Sequence, residues 1–529
     1  MTFVRRSARN GPACGRYPVA VSERDGAEEV DDLPEQLRIR REKYDRLIAQ
    51  PRDAPFPVGV PRTSSLAEVR AKYPELKPDA ATGELVGITG RVIFIRNTGK
   101  LCFATLREGD VELQVMLSLD RVGEQSLAAW KSDVDLGDLV FVHGEVIASR
   151  RGELSVLATA STLPGEPAYG WQITAKALRP LPVAHKPLSE EMRVRQRYVD
   201  LIVRREAREM VQTRAAVVRS IRQTLHERDY LEVETPILQA VHGGAAARPF
   251  HTHLNAFDLE MSLRIATELY LKRCIVGGLE RVYEIGKTFR NEGVDSSHSP
   301  EFTMLEAYEA YGDYDTMAEL TRTLVLNAAD AVGVRNPVTS DGEEIDIRGP
   351  WRSTTIHELV AETVGEPVGP DTSIDVLRAH AERLEVALKP GWDAGEIVLE
   401  LYEKLVEHTL VQPTFVRDYP VSVRPLARPH RDDPRLAEAW DLIIGGVEIA
   451  PAYSELVDPV EQRRRLVEQS LAAAKGDPEA MELDEDFLRA LEYGMPPTGG
   501  LGLGIDRLVM LFTGKGIRET ILFPLLKPL

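Results

Sequence analysis

A chain of 529 residues, 43% apolar and 28% charged, is long enough for two or three domains with sizeable cores. A net charge of −18 leaves no overall basic footprint for nucleic acid, so any such contact must be local. The three cysteines, Cys14, Cys102 and Cys274, lie far apart without a Cys-x-x-Cys pair, which excludes a disulfide framework and a cysteine zinc site.

Residues 1–32 mix Arg, Gly, Ser and acidic residues without periodicity, and disorder is expected there. Arg5, Arg6 and Arg9 precede no apolar signal core. Nor does any apolar run approach the roughly 18–20 residues of a membrane helix, so we expect a cytoplasmic protein with no membrane partner. Residues 33–83 read as a helix from Leu33 to Gln50, then a connector that opens with PRDAPFPVGVPR (51–62). Arg38, Arg40, Arg41, Lys43 and Arg46 crowd that helix. Interleaved with Glu35, Glu42 and Asp45, they read as a solvated face, or, beside an RNA-binding domain, as a phosphate contact. Residues 84–165 hold five short β-type runs separated by Gly and charged turns, which suits a small Greek-key barrel such as the OB-fold. Residues 166–190, including WQITAKALRPLP (171–182), read as a linker. From 191 to 529, a long helix (Arg204 to Arg228, with Val218, Ile221 and Leu225 at helical spacing) leads into strands and helices with no regular βαβ repeat. That pattern predicts an α+β domain on a mainly antiparallel sheet flanked by helices.

Three segments of this second domain carry chemistry. FRNEGVDSSHSPEF (289–302) puts Arg290, Glu292 and His298 in one polar loop ahead of a strand in which Phe302, Met304, Glu306 and Tyr308 share a face. GGLGLGIDR (499–507) joins a glycine-rich run to Arg507. Asp441 and Glu448 flank Gly445-Gly446, a two-residue hairpin turn. Such a turn pairs Glu448 with Ile443 and makes Asp441 its diagonal neighbour on one face. Two carboxylates so placed favour a shared hard cation. The alternative is an exposed hairpin with ordinary acids, against which the apolar run Leu442–Ile444 argues.

The first two segments resemble motifs 2 and 3 of the class II aminoacyl-tRNA synthetases, and LEVETPIL (231–238), with its proline, resembles motif 1. RNEG with HSPEF, TELYLKR (267–273) and SEL (454–456) are similar to the lysyl-tRNA synthetases of bacterial type. The resemblance runs from about Leu33 to the C-terminus. It implies an OB-fold anticodon-binding domain ahead of a class II catalytic domain, with ATP, L-lysine and lysine tRNA as substrates, Mg²⁺, and a homodimer formed through motif 1. The catalytic residue it implies is Arg290, a planar, permanent cation that bridges the carboxylate and the α-phosphate as negative charge accumulates there. It also implies that Glu292 and His298 hold the two ends of ATP and that Phe302 stacks on adenine. Arg507 would cover the other adenine face and reach the γ-phosphate, while Gly500, Gly502 and Gly504 let the backbone approach the nucleotide. Glu448 and Asp441 would hold the metal, although the family usually carries two glutamates there. Gly244, Glu268, Arg290, Glu306, Tyr308 and Glu455 would bind the amino acid, since a buried ammonium needs carboxylate partners. In the barrel, Phe103, Gln114 and Glu153 fall at the spacing of anticodon-reading residues, although Phe103 alone would equally suit a barrel core.

One segment departs from the family. Ala450-Pro451-Ala452-Tyr453 stands where its members typically read Gly-Asn-Gly-Phe, and Pro451 offers neither a polar side chain nor a backbone N–H. Two alternatives therefore stay open: a paralogue that activates lysine or a lysine-like amine for a non-tRNA acceptor, and a non-catalytic RNA-binding paralogue.

Overall fold

The computed structural model describes residues 35–49, 55–160, 170–182, 188–295, 297–339, 341–474 and 483–528, so the expected disorder of 1–32 lies outside the described residues. The chain divides into two compact units, Met1–Pro187 and Leu188–Leu529.

The first unit is built on alternation. β1 (Ala81–Thr98) buries its middle, and in β2 (Leu101–Glu108) and β3 (Val111–Ser118) buried side chains alternate, with Cys102, Ala104 and Leu106 facing Leu113, Val115 and Leu117 inside. β4 (Leu139–Ala148) and β5 (Leu154–Ala158) continue the sheet, and β4 also pairs with β1, which curls the strands into a barrel. β1 opens at Ala81 rather than Glu84, and a helix, Leu66–Lys72, closed by a Ser65–Glu68 capping box, interrupts the expected connector.

The expected linker is the larger correction. Trp171–Ala175 is a sixth strand, β6, paired with β4, and it buries Trp171 and Ile173 in the barrel core. Trp171 meets Trp130 edge-on at 5.1 Å and donates to Ser126 Oγ at 2.9 Å. The prolines that follow it masked a two-residue period that was already present. The basic helix, Glu35–Ile48, is likewise committed inside its own unit. Arg40 donates to the Leu136 and Ala177 carbonyls, Lys43 and Arg46 pair with Asp135 and Asp133, and Arg38 and Arg41 pair with Glu42 and Asp45. Arg38, Arg41 and Arg46 stay about half exposed in these pairs.

The second unit holds an eight-stranded sheet. Its strands are β7 (Leu231–Glu232), β11 (Arg281–Phe289), β12 (Glu301–Ala310), β13 (Arg352–Thr355), β14 (Thr414–Pro420), β15 (Leu436–Ile444), β16 (Val447–Ser454) and β17 (Thr498–Gly504). They run in the order β13-β14-β15-β16-β17-β12-β11-β7, antiparallel except for the terminal pairs β13/β14 and β11/β7. A separate three-stranded sheet is formed by β8 (Leu238–Gln239), β9 (His251–Leu254) and β10 (Leu259–Leu263). The motif 1 segment thus contributes Leu231 and Glu232 to the large sheet and Leu238 to the small one. Helices Arg205–His226 and Tyr314–Ala331 cover one face of the large sheet, burying Val217, Ile221 and Leu225 with Leu320, Leu305 and Leu503. On β12 the alternate residues Phe302, Met304, Glu306 and Tyr308 face the other way, and Tyr308 packs there with Leu269 and Leu271 of the helix Glu268–Val276.

Candidate active site

Arg290 follows β11 directly and opens the polar loop, and its guanidinium lies over the Phe302 ring at 5.3 Å. Its Nε is buried without a hydrogen-bond partner, and among the described residues no carboxylate pairs with it. A permanent cation held in this way is available to an anionic ligand. Together with Glu292, His298, Phe302, Glu448 and Arg507, it lines a cavity of about 170 Å³. Six of the residues expected at the nucleotide therefore meet in one place. The loop closes on itself through Asp295, which accepts from the Ser297 and His298 backbone N–H groups and pairs with the His298 ring. These bonds hold the Asp295 carboxyl well below its ordinary range. Arg507 donates to the Glu448 carbonyl at 2.7 Å and approaches its carboxylate at 3.8 Å.

Further along the same face of β12 lies a second, buried group. Glu306 accepts from the Thr267 backbone N–H at 2.9 Å and from the Tyr308 hydroxyl at 3.2 Å. Burial, reinforced by the charge of Glu268, pushes its carboxyl up to about 7. Glu455 is buried, and burial pushes it up to about 8 against the opposing pull of Lys272. Lys272, one helical turn beyond Glu268, is itself fully buried and pairs with both Glu268, at 2.6 Å, and Glu455. Burial alone would lower the Lys272 pKa, but its two carboxylate partners raise it instead. Gly244, at φ +89°, packs over Glu268: a Cβ there would meet the Glu268 Cβ at 3.1 Å.

The glycines of 499–504 serve the site differently from expectation. Gly504 lines the cavity, and a Cβ on Gly502 would meet Met304 and Pro451, two of its lining residues. Gly500 does not line this cavity. A Cβ on it would lie 1.9 Å from Glu455 Oε1 and 2.7 Å from the Tyr308 ring, so its missing side chain is the space that Glu455 occupies.

The hairpin turns at Gly445-Gly446, both at positive φ, with Glu448 opposite Ile443 as the spacing predicts. A register shift next to that pair brings Asp441 opposite Pro451. Asp441 is gripped by Arg424 at 2.5 Å, and its Oδ1 is buried without a hydrogen-bond partner. Burial pushes it up to about 6, with Arg424 pulling it down and Glu448 adding to the rise. Among the described residues no three His, Cys, Asp or Glu side chains converge as a metal-binding group, so a metal here would draw on this pair and on its ligand's own oxygens. Residues 450–453 lie in β16, and pairing with β17 begins at Ala452, so Pro451 sits just outside that ladder and lines the cavity of Arg290 and Arg507.

On the barrel, Phe103 is half-buried on the outer face of β2, opposite to Cys102 and Ala104, which disposes of the core alternative. Arg96 lies over its ring at 4.6 Å. Gln114, on the neighbouring strand, donates to Ser155 Oγ, and the exposed Glu153 reaches Arg70 at 3.3 Å. Sequence reasoning missed Lys272, Arg424 and Arg96. For Lys272 a signal existed, its position four residues after Glu268 on a helix. Arg424 and Asp441 are seventeen positions apart and joined only by the fold.

Comparison with known proteins agrees in both units. Residues 189–527 match the family described as tRNA synthetases class II (D, K and N), and residues 86–163 match the OB-fold nucleic acid binding domain. The chain is 58% identical over 504 residues to a lysine–tRNA ligase of Kineococcus radiotolerans, covering 95% of this chain and 99% of the relative. It is 57% identical over 510 residues to lysine–tRNA ligase 1 of Mycobacterium tuberculosis, with the same coverage of each. To a lysylphosphatidylglycerol biosynthesis bifunctional protein of Mycolicibacterium vanbaalenii it is 52% identical over 502 residues, 94% of this chain but 44% of that protein.

Proposed function

Because the chain belongs to the class II tRNA synthetases of the D, K and N group, we propose that it activates L-lysine with ATP and transfers the lysyl group to the 3′ end of a lysine tRNA. The observation that carries this reading is the set of buried carboxylates, Glu268, Glu306 and Glu455, on the same sheet face as the unpaired Arg290. Lys272 meets only part of this charge; the remainder is costly unless a cation meets it, so the ligand that satisfies this pocket carries ammonium groups.

Chemistry follows from the placement. The lysine carboxylate, held by Arg290, attacks the α-phosphorus of ATP, a new P–O bond forms, and the bond to pyrophosphate breaks. Arg290 stabilises the charge that develops on the α-phosphate, and Arg507, Glu292 and His298 hold the nucleotide between them. Phe302 offers an aromatic face for adenine. In the second step the terminal ribose hydroxyl attacks the activated carbonyl and AMP departs. Asp441 and Glu448 are the residues that would hold Mg²⁺, which neutralises phosphate charge when bound. The buried, unpartnered Oδ1 of Asp441 fits a hard cation.

Phe103 with Arg96 supplies a stacking platform on the barrel, and Gln114 and Glu153 supply polar groups for base edges, which supports reading of a U-rich anticodon. Exposed Leu231, Ile237, Leu238 and Phe257 in and after motif 1 support a homodimer through that surface. Sedimentation should then report twice 58.9 kDa. Among the described residues no helix is long and apolar enough to cross a membrane. ATP and tRNA are cytoplasmic molecules, so we infer action in the cytoplasm. Pyrophosphate exchange across a panel of amino acids, followed by tRNA charging, tests the whole reading. Lysine-dependent exchange with no charging would favour a non-tRNA acceptor, and no exchange with any amino acid would favour an RNA-binding paralogue.

A further inference from the structure

The pocket assigned to the substrate amine already holds an ammonium of the chain's own. Lys272 Nζ lies between Glu268 and Glu455, in a fully buried position, and the third carboxylate, Glu306, stands on the adjoining strand. Neither acid is free to move away. Glu268 is packed against Gly244, and Glu455 fills the space above Gly500. Lys272 is fixed as well, because it projects from the same helix as Glu268, one turn on.

Three buried carboxylates and one ammonium, which pairs with two of them, leave two negative charges when all are ionised. Lysine brings two ammonium groups, and its carboxylate is accounted for by Arg290. Glu455 Oε1 has no hydrogen-bond partner, so Lys272 has not used up its acceptors. Its ion pair is made through the other oxygen, Oε2.

We propose that Lys272 is a positioning residue for lysine selection: a permanent internal counter-ion that holds Glu268 and Glu455 in register and leaves the pocket two negative charges for the substrate's two ammonium groups. It acts through the two glutamates and does not touch the reacting atoms. The rival role is a plug that occupies the empty pocket and is displaced by lysine. The two roles give opposite signs. Removing a plug tightens lysine binding, whereas removing a counter-ion leaves the acids mutually repelling and weakens it.

The inference rests on lysine being the activated amino acid, so lysine-dependent pyrophosphate exchange by the unaltered chain is measured first. Its absence would overturn that assignment rather than the role of Lys272. Given exchange, Lys272→Met should raise KM for lysine roughly a hundredfold or more. KM for ATP should stay within about threefold, and discrimination between lysine and its uncharged isostere norleucine should narrow. Lys272→Arg, which keeps the charge, should recover part of the affinity. A variant that binds lysine as well as the parent, or better, would overturn the proposal. Equal losses for lysine and ATP would reduce Lys272 to a fold-stabilising ion pair and overturn it too. Should the methionine variant not fold, amine labelling of the unaltered protein with mass-spectrometric readout decides between the roles. Lys272 should stay unreactive with and without lysine, and labelling that appears on adding lysine would identify it as the displaced plug.

Discussion

Gly500→Ala isolates the amine pocket with one methyl group and no change of charge. The new Cβ would lie 1.9 Å from Glu455 Oε1 and 2.7 Å from the Tyr308 ring, well inside van der Waals contact. Neither neighbour can retreat cheaply. Glu455 is 1% exposed and paired with Lys272, and Tyr308 is 3% exposed and bonded to Glu306. Relief therefore requires Glu455 to shift by about an ångström, and a misplacement of that size costs around 10²-fold in rate. Overpacking itself costs about 1–3 kcal/mol, which for a domain of this size lowers the melting temperature by several degrees. The assay is pyrophosphate exchange with lysine and ATP varied separately. We expect kcat/KM for lysine to fall about a hundredfold with KM for ATP unchanged. Gly502→Ala is the control, because its Cβ would meet Met304 Cε at 3.2 Å, the end of a flexible side chain that can give way. Lysine use should survive it. A Gly500→Ala enzyme with normal lysine kinetics and normal melting would refute the placement of Glu455, and equal effects at both glycines would show that the two positions serve one ligand.

Arg290→Ala should lower the exchange rate by about 10²–10³ with the melting temperature unchanged, since Arg290 is assigned to charge that develops in the transition state; near-parental exchange would remove that assignment. Phe103→Ala should cost about 1–3 kcal/mol of tRNA binding, read as charging efficiency, and leave tRNA-free exchange and melting intact because the ring is outside the barrel core. Tyrosine at that position should rescue it, and a lowered melting temperature would contradict the placement outside the core. Glu306 and Glu455, pushed up by burial to about 7 and about 8, are protonated in part near neutrality, while an arriving ammonium favours their ionised forms. Lysine binding at pH 7 should therefore release protons, seen as a buffer-dependent calorimetric enthalpy, and should weaken from pH 8 to pH 6; an enthalpy independent of buffer would count against both carboxyls. With folded values above the ordinary 4.5, the same groups contribute stability to the empty protein that is present below that pH and lost as pH rises through about 7 and 8.

The sequence by itself determined what depends on short-range periodicity. The two-residue alternation of 101–118 and of 302–308, the double-glycine hairpin, and the long helix ending near His226 are local patterns, and the structure repeats them. Residue types in a fixed order were enough to bring Arg290, Glu292, His298, Phe302, Glu448 and Arg507 into one cavity, because the strands that carry them are contiguous in the sheet. Tertiary structure decided what depends on partners distant in the chain. Trp171 and Ile173 turned an expected linker into a strand because the barrel had room for them. In the basic cluster of 38–46, Arg40, Lys43 and Arg46 met carbonyls and carboxylates distant in the chain. Arg424 reached Asp441, Lys272 reached Glu455, and Gly500 proved to be space for a carboxylate. Local sequence cannot specify such pairings, because an ion pair or a steric vacancy is a property of two backbones brought together, and only the folded sheet sets their separation.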